Sequence, residues 1–143
     1  MRIPRRGMLA LATMAGLTTI LLAPQAALAA YYGNEINYAA SSSGPPDNDE
    51  YYYYTDTTGA IAEFRFNGDQ FYVKDTVADG HSAAAIWFDA DSTRSGSCIS
   101  QWGAGHYGLC DKDFVEGHTI YFSAAVYEAG KIVRNGDWIK AIA

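Results

Sequence analysis

The chain has 143 residues, carries ten basic and sixteen acidic side chains, and is 49% apolar. That suffices for one domain with its own core and falls short of two domains of ordinary size. The acidic balance argues against polyanionic partners, because a net-negative surface repels both phosphate backbones and anionic bilayers.

Arg2, Arg5 and Arg6 precede an apolar run over 8–22, no acid occurs before Glu35, and Ala27-Leu28-Ala29 offers a small-x-small cleavage pattern. This is the three-part layout of an export signal. A membrane-spanning helix needs about 20 apolar residues, more than this run supplies, and Pro24 interrupts the chain just beyond it. Residues 1–29 are therefore expected to be removed, leaving a secreted protein with no membrane attachment. Arg5-Arg6-Gly7-Met8-Leu9 also resembles a twin-arginine signal, although Pro4 and Ala10 at its flanks favour general secretion. Cleavage takes three basic residues and no acid, so seven cations face sixteen anions, a net charge of −9.

Residues 30–59 read as a separate, tyrosine-rich segment. Ser41-Ser42-Ser43-Gly44-Pro45-Pro46 followed by Asp47-Asn48-Asp49-Glu50 has almost nothing to bury, and mobility is expected there. Tyr51 to Tyr54 cannot all face one core, since strand side chains alternate, so about half are expected at the surface or an interface.

From residue 60 to 143 the pattern is that of a β domain. Ala60, Ala62, Phe64 and Phe66 alternate with Ile61, Glu63 and Arg65, and Asn67-Gly68 predicts a tight turn into a return strand over 70–77. A third strand over 81–89 is apolar on both faces, which suggests a strand between two layers. A polar loop over 90–97, a short strand over 98–102 and a glycine-rich loop over 103–108 come next. Residues 119–127 alternate again, with a short helix over 123–129 as the competing reading. Residues 131–134 and 138–142 form an expected closing hairpin around Asn135-Gly136. Six or seven short antiparallel strands at this spacing predict an all-β fold, a small β-sandwich of immunoglobulin-like or jelly-roll-like kind.

Cys98 and Cys110 are the only cysteines. In an oxidising compartment such a pair is expected to form a disulfide, and neither CxxC spacing nor a second pair supports a metal site. Closing so short a loop stabilises a fold by about 3 kcal/mol in the chain-entropy model.

The search for chemistry ends without a catalytic residue, metal or cofactor. Around Ser95-Gly96-Ser97 the glycine spacing of a nucleophile elbow is missing, and nothing groups a serine and an aspartate about His81, His106 or His118. Asp89-Ala90-Asp91 and Asp111-Lys112-Asp113 lack the spacing of a calcium loop. What stands out is the disulfide loop, which holds Trp102, His106 and Tyr107 among three glycines. Aromatic rings on a covalently closed loop suit stacking on sugars or anchoring a partner protein. The competing reading has Trp102 tucked into the core.

The leader, the stretch Val77-Ala78-Asp79-Gly80-His81-Ser82-Ala83, the two cysteines and Phe114-Val115-Glu116-Gly117 together resemble small, uncharacterised secreted proteins of filamentous actinobacteria. That resemblance implies a small β-sandwich and supplies no activity. A further cysteine pair frequent near the last strand of such proteins is not present around Gly136-Asp137-Trp138. The expected function is a non-catalytic binding module for polysaccharide or an extracellular protein. A self-assembling surface protein and a secreted antagonist, toxin or inhibitor, are the alternatives.

Overall fold

The computed structural model describes residues 31–46 and 52–143. The expected leader and residues 47–51 of the acidic stretch lie outside the described residues. Among those described there are eleven strands and no helix: β1 (Glu35–Tyr38), β2 (Ala40–Ser42), β3 (Tyr52–Thr57), β4 (Ala60–Arg65), β5 (Gln70–Asp75), β6 (Ser82–Asp89), β7 (Ser95–Ser100), β8 (Tyr107–Asp111), β9 (Thr119–Glu128), β10 (Lys131–Asn135) and β11 (Ile139–Ile142). They build a β-sandwich of two sheets. Sheet A runs β1-β7-β6-β9-β10, with β11 also on β9, and sheet B runs β2-β8-β5-β4-β3. All neighbours are antiparallel except β1, which lies parallel to β7.

Eleven strands replace the expected six or seven because the additional ones are short and mostly polar. β1 and β2 read EINY and ASS, with no alternation to betray them. They form because sheet edges offer free backbone groups. The chain pairs with β7 on sheet A, passes between the sheets at the buried Ala39, and pairs with β8 on sheet B. β3 pairs along its full length with β4. The stretch read as a separate segment thus supplies three strands to the sandwich. Tyr53 packs against the core, whereas Tyr54 is exposed, as alternation requires.

The predicted β4–β5 hairpin forms, one residue out of register with the expected turn. Positive φ falls on Gly68 and Asp69, at 97° and 52°, and not on Asn67. The predicted closing hairpin does not form. β10 pairs with residues 125–128 of β9 and β11 with residues 119–122, end to end along one edge. β9 is ten residues long, enough to seat both, and the Gly136 N–H bonds the Ala124 carbonyl between them at 2.9 Å. The helix weighed at 123–129 is absent, since Ile120, Phe122, Ala124 and Val126 all face the core with the period of a strand.

Between the sheets lies a core centred on Phe64, Phe71, Trp87, Phe114 and Phe122, whose ring centroids are 4.8–6.2 Å apart in contacting pairs. Burying each ring stabilises the fold by about 1.5–3 kcal/mol. The Cys98–Cys110 disulfide forms and ties β7 of sheet A to β8 of sheet B through this core. One end of the sandwich is closed by charge. Glu35 binds Arg94 at 2.7 Å and Lys112 at 3.0 Å, and the two cations sit over Phe114 and Trp87. The hydrogen bond from Arg94, helped by that from Lys112, lowers the Glu35 carboxyl to about 2.

A candidate binding face on the six-stranded sheet

The outer faces of the two sheets differ in kind. On sheet B the pairing aligns Asp56, Glu63, Arg65, Lys74 and Asp111 outward among the tyrosines, giving an ordinary charged face. On sheet A the outward positions are Ile36 and Tyr38 of β1, Ser97 and Ile99 of β7, Ala84, Ile86 and Phe88 of β6, and Tyr121, Ser123, Ala125 and Tyr127 of β9. Among the strand residues on this face only Lys140 is charged. The two-faced apolarity read in residues 81–89 is therefore real, although no third layer of secondary structure covers it among the described residues.

What covers part of it is the chain before β1. Tyr31 and Tyr32 lie across the sheet and help bury Ala84, Ile86, Ile99, Ala125 and Tyr127. The Tyr32 N–H donates to the Tyr127 phenol at 2.8 Å, and Ser97 Oγ donates to the Tyr32 carbonyl at 2.8 Å. Gly33 then turns the chain into β1 with φ of 79°, where any side chain would collide with the backbone of Ser95 and Gly96.

Two aromatic groups result. Tyr31 stands edge-on to Tyr127 and Tyr38 at 4.9 and 6.3 Å. Farther along, Phe88 stacks on Tyr121 at 5.1 Å, and Trp138 tilts over Phe88 at 5.4 Å and Tyr32 at 5.7 Å. Tyr38 remains 57% exposed and Trp138 39%. Burial raises the Tyr32 and Tyr127 phenols above the ordinary tyrosine range, so both stay neutral donors and acceptors across the physiological range. Flat rings flanked by neutral hydroxyls can stack on apolar ring faces and bond to hydroxyl groups.

The structure separates the three residues expected on the disulfide loop. Trp102 is 49% exposed, not tucked into the core, but its indole N–H is held by the Ala39 carbonyl at 2.9 Å. His106 is exposed in the turn. Tyr107 lies within the disulfide-closed segment but on a strand, not on its turn. It opens β8, on the outer side of sheet B, with Gly44 against its ring and Lys74 Nζ 5.0 Å from the ring centroid. Its phenol donates to Glu63 at 3.1 Å; burial, followed by the Glu63 charge, raises it to about 12. Reading the loop as ending at residue 108 missed this, because Tyr107-Gly108 carries no alternation by itself.

His118 Nδ1 lies 2.9 Å from the buried Asp89 carboxylate, which Ser92 Oγ also binds at 2.7 Å. Serine and histidine share the aspartate, so this is not the serine–histidine–aspartate order that activates a nucleophile. Among the described residues no group of three or more histidine, cysteine or acidic side chains has metal-binding geometry. No helix among them is long and apolar enough to cross a membrane.

Trp138, Tyr32, Phe88 and Tyr121 went unremarked in the sequence as a group, since they come from four separate segments. The available signal was the doubly apolar strand over 81–89. Comparison with protein-family models, curated proteins and solved structures finds no match to this chain, so the site rests on its own geometry.

Proposed function

We propose that the protein is a secreted, non-catalytic binding module that takes up a neutral polysaccharide on the outer face of sheet A. One observation carries this reading. A two-layer sandwich needs one apolar face per sheet, and sheet A has two, the outer one lined with aromatic rings and nearly free of charge. A neutral polymer experiences no repulsion from an acidic molecule, and its sugar rings match Trp138 and Tyr38 in shape and polarity. The disulfide supports export to an oxidising compartment.

The test is sedimentation of the mature protein with washed cell walls, chitin and cellulose, alongside Trp138→Ala and Trp102→Ala. Specific sedimentation weakened at least tenfold by Trp138→Ala and kept by Trp102→Ala is the expected result. Loss in Trp102→Ala alone moves the site to the disulfide loop, and no sedimentation with any polymer overturns the polysaccharide reading.

A second reading, association of two copies through the same face, is favoured by the aliphatic residues Ile36, Ile132 and Ile142 on it, all partly exposed. A monomer at millimolar concentration in sedimentation velocity would remove it.

A further inference from the structure

The dipeptide Asn-Gly occurs twice in the chain, at 67–68 and at 135–136. It is the asparagine context most open to spontaneous loss of the side-chain amide, because glycine leaves its backbone nitrogen uncrowded and able to approach the preceding side chain. Asn34 and Asn37 instead precede Glu35 and Tyr38, whose side chains crowd that approach. The structure places the two Asn-Gly pairs in opposite circumstances.

Asn67 and Gly68 are both exposed, in the turn between β4 and β5 and outside either strand. The turn is closed by the Asp69 N–H on the Phe66 carbonyl at 3.3 Å, a bond that engages neither Asn67 nor Gly68. Among the described residues no hydrogen bond holds the Asn67 side-chain amide or the Gly68 N–H. A carbon added to Gly68 would meet only the Gln70 side chain, at 3.8 Å, so the space around this nitrogen is open.

Asn135 and Gly136 are tied at the groups the same reaction would use. The Gly136 N–H donates to the Ala124 carbonyl at 2.9 Å, and the Asn135 side-chain nitrogen donates to the Gly136 carbonyl at 2.9 Å. Ser123 Oγ donates to that carbonyl as well, at 2.8 Å. Asn135 pairs with Ala125 in β10, and a carbon added to Gly136 would fall on the Asp56 carbonyl. Here the attacking nitrogen must first give up a bond and the chain must leave the space between two strands.

We infer that Asn67 is a self-modification site, converted to isoaspartate or aspartate in the folded protein, and that the fold preserves Asn135. The Gly68 nitrogen bonds to Asn67 Cγ. The bond from Cγ to the side-chain nitrogen breaks, and that nitrogen leaves as ammonia with the proton from Gly68. Water then opens the cyclic imide. Opening at the backbone carbonyl leaves isoaspartate, and opening at Cγ leaves aspartate. Water is the only co-reactant.

The product acts on its surroundings. Its new carboxylate joins Glu116, which lines the same recess, and adjoins Asp69, whose Oδ1 is buried without a partner. Asp69 ties the turn to the chain after β8, accepting the Phe114 N–H on Oδ2 at 2.7 Å and the Lys112 N–H on its carbonyl at 3.0 Å. Added charge, and in isoaspartate an added backbone methylene, loosen that tie. This site is independent of the aromatic face of sheet A and stands whether or not that face binds polysaccharide.

The experiment is prolonged incubation of the mature protein at neutral pH, followed by peptide mapping of the mass gained when NH2 becomes OH. An isoaspartyl methyltransferase reads the rearranged product. In the native protein Asn67 should convert about tenfold or more faster than Asn135. In guanidinium chloride with the disulfide reduced, the two rates should agree within about threefold. Amide exchange at Lys112 and Phe114 should be faster in the aged protein, and unchanged in equally aged Asn67→Ser, which forms no imide. No conversion at Asn67, equal native rates, or a difference that persists in denaturant would overturn the inference; unchanged exchange at both amides would overturn the coupling to Asp69.

Discussion

Tyr127 accepts the backbone N–H of Tyr32 on its phenol oxygen at 2.8 Å, across 95 residues of sequence. That bond fastens the first described residues to the outer face of sheet A and leaves room on the same phenol for Ser97 at 3.0 Å. Tyr127→Phe keeps the ring and deletes the oxygen both groups share. The expected cost is about 1–2 kcal/mol, because a buried donor loses its partner. Urea unfolding should show it, and amide exchange at Tyr32 should accelerate while exchange in β4 and β5 does not.

The loop at Gly33 answers to a different constraint. Its φ of 79° is one that side chains resist, and an added Cβ would sit inside the backbone of Ser95 and Gly96. Gly33→Ala should destabilise by about 1–3 kcal/mol, measured as a lower urea midpoint at constant slope. Gly103→Ala, also at positive φ but with nothing within 4 Å of the added carbon, should cost less.

Glu35 sets an acid limit on the end of the sandwich it closes. Its folded carboxyl is lowered to about 2 by Arg94 and Lys112, from an ordinary value of 4.5. A lowered folded value means that its contribution is complete above pH 4.5 and is lost as pH falls toward 2. Partial exposure of the pair to water screens it, holding the loss to about 1–2 kcal/mol. Glu35→Gln should remove that part of the acid dependence, seen by comparing unfolding midpoints near neutrality with midpoints around pH 3.

The disulfide joins the two sheets and also closes the loop over residues 101–106. Replacing both Cys98 and Cys110 by alanine should cost about 3 kcal/mol, lowering the melting temperature by about 10 °C. Amides at 101–106 should become the least protected against exchange. A variant with unchanged melting would show that packing alone sets the loop.

Much of the fold was legible because its causes are local. The alternation of Ala60, Ala62 and Phe64, the turn after Phe66, and the two cysteines each speak through near neighbours in sequence. β1 and β2 were not legible, because a short polar strand forms only where a sheet edge supplies its hydrogen bonds. The exchange of a closing hairpin for two strands along β9 has the same origin: pairing with a long central strand outcompetes a local turn.

The candidate sites divide in the same way. From sequence alone come the disulfide, the acidic balance and the doubly apolar strand over 81–89, since composition and period are properties of the chain itself. The sandwich alone decides that Trp138 meets Phe88 and Tyr32, and that Tyr107 pairs into the opposite sheet. Those are distances between residues far apart in sequence, and only the pairing register of two sheets, set by burial of their shared core, brings them together.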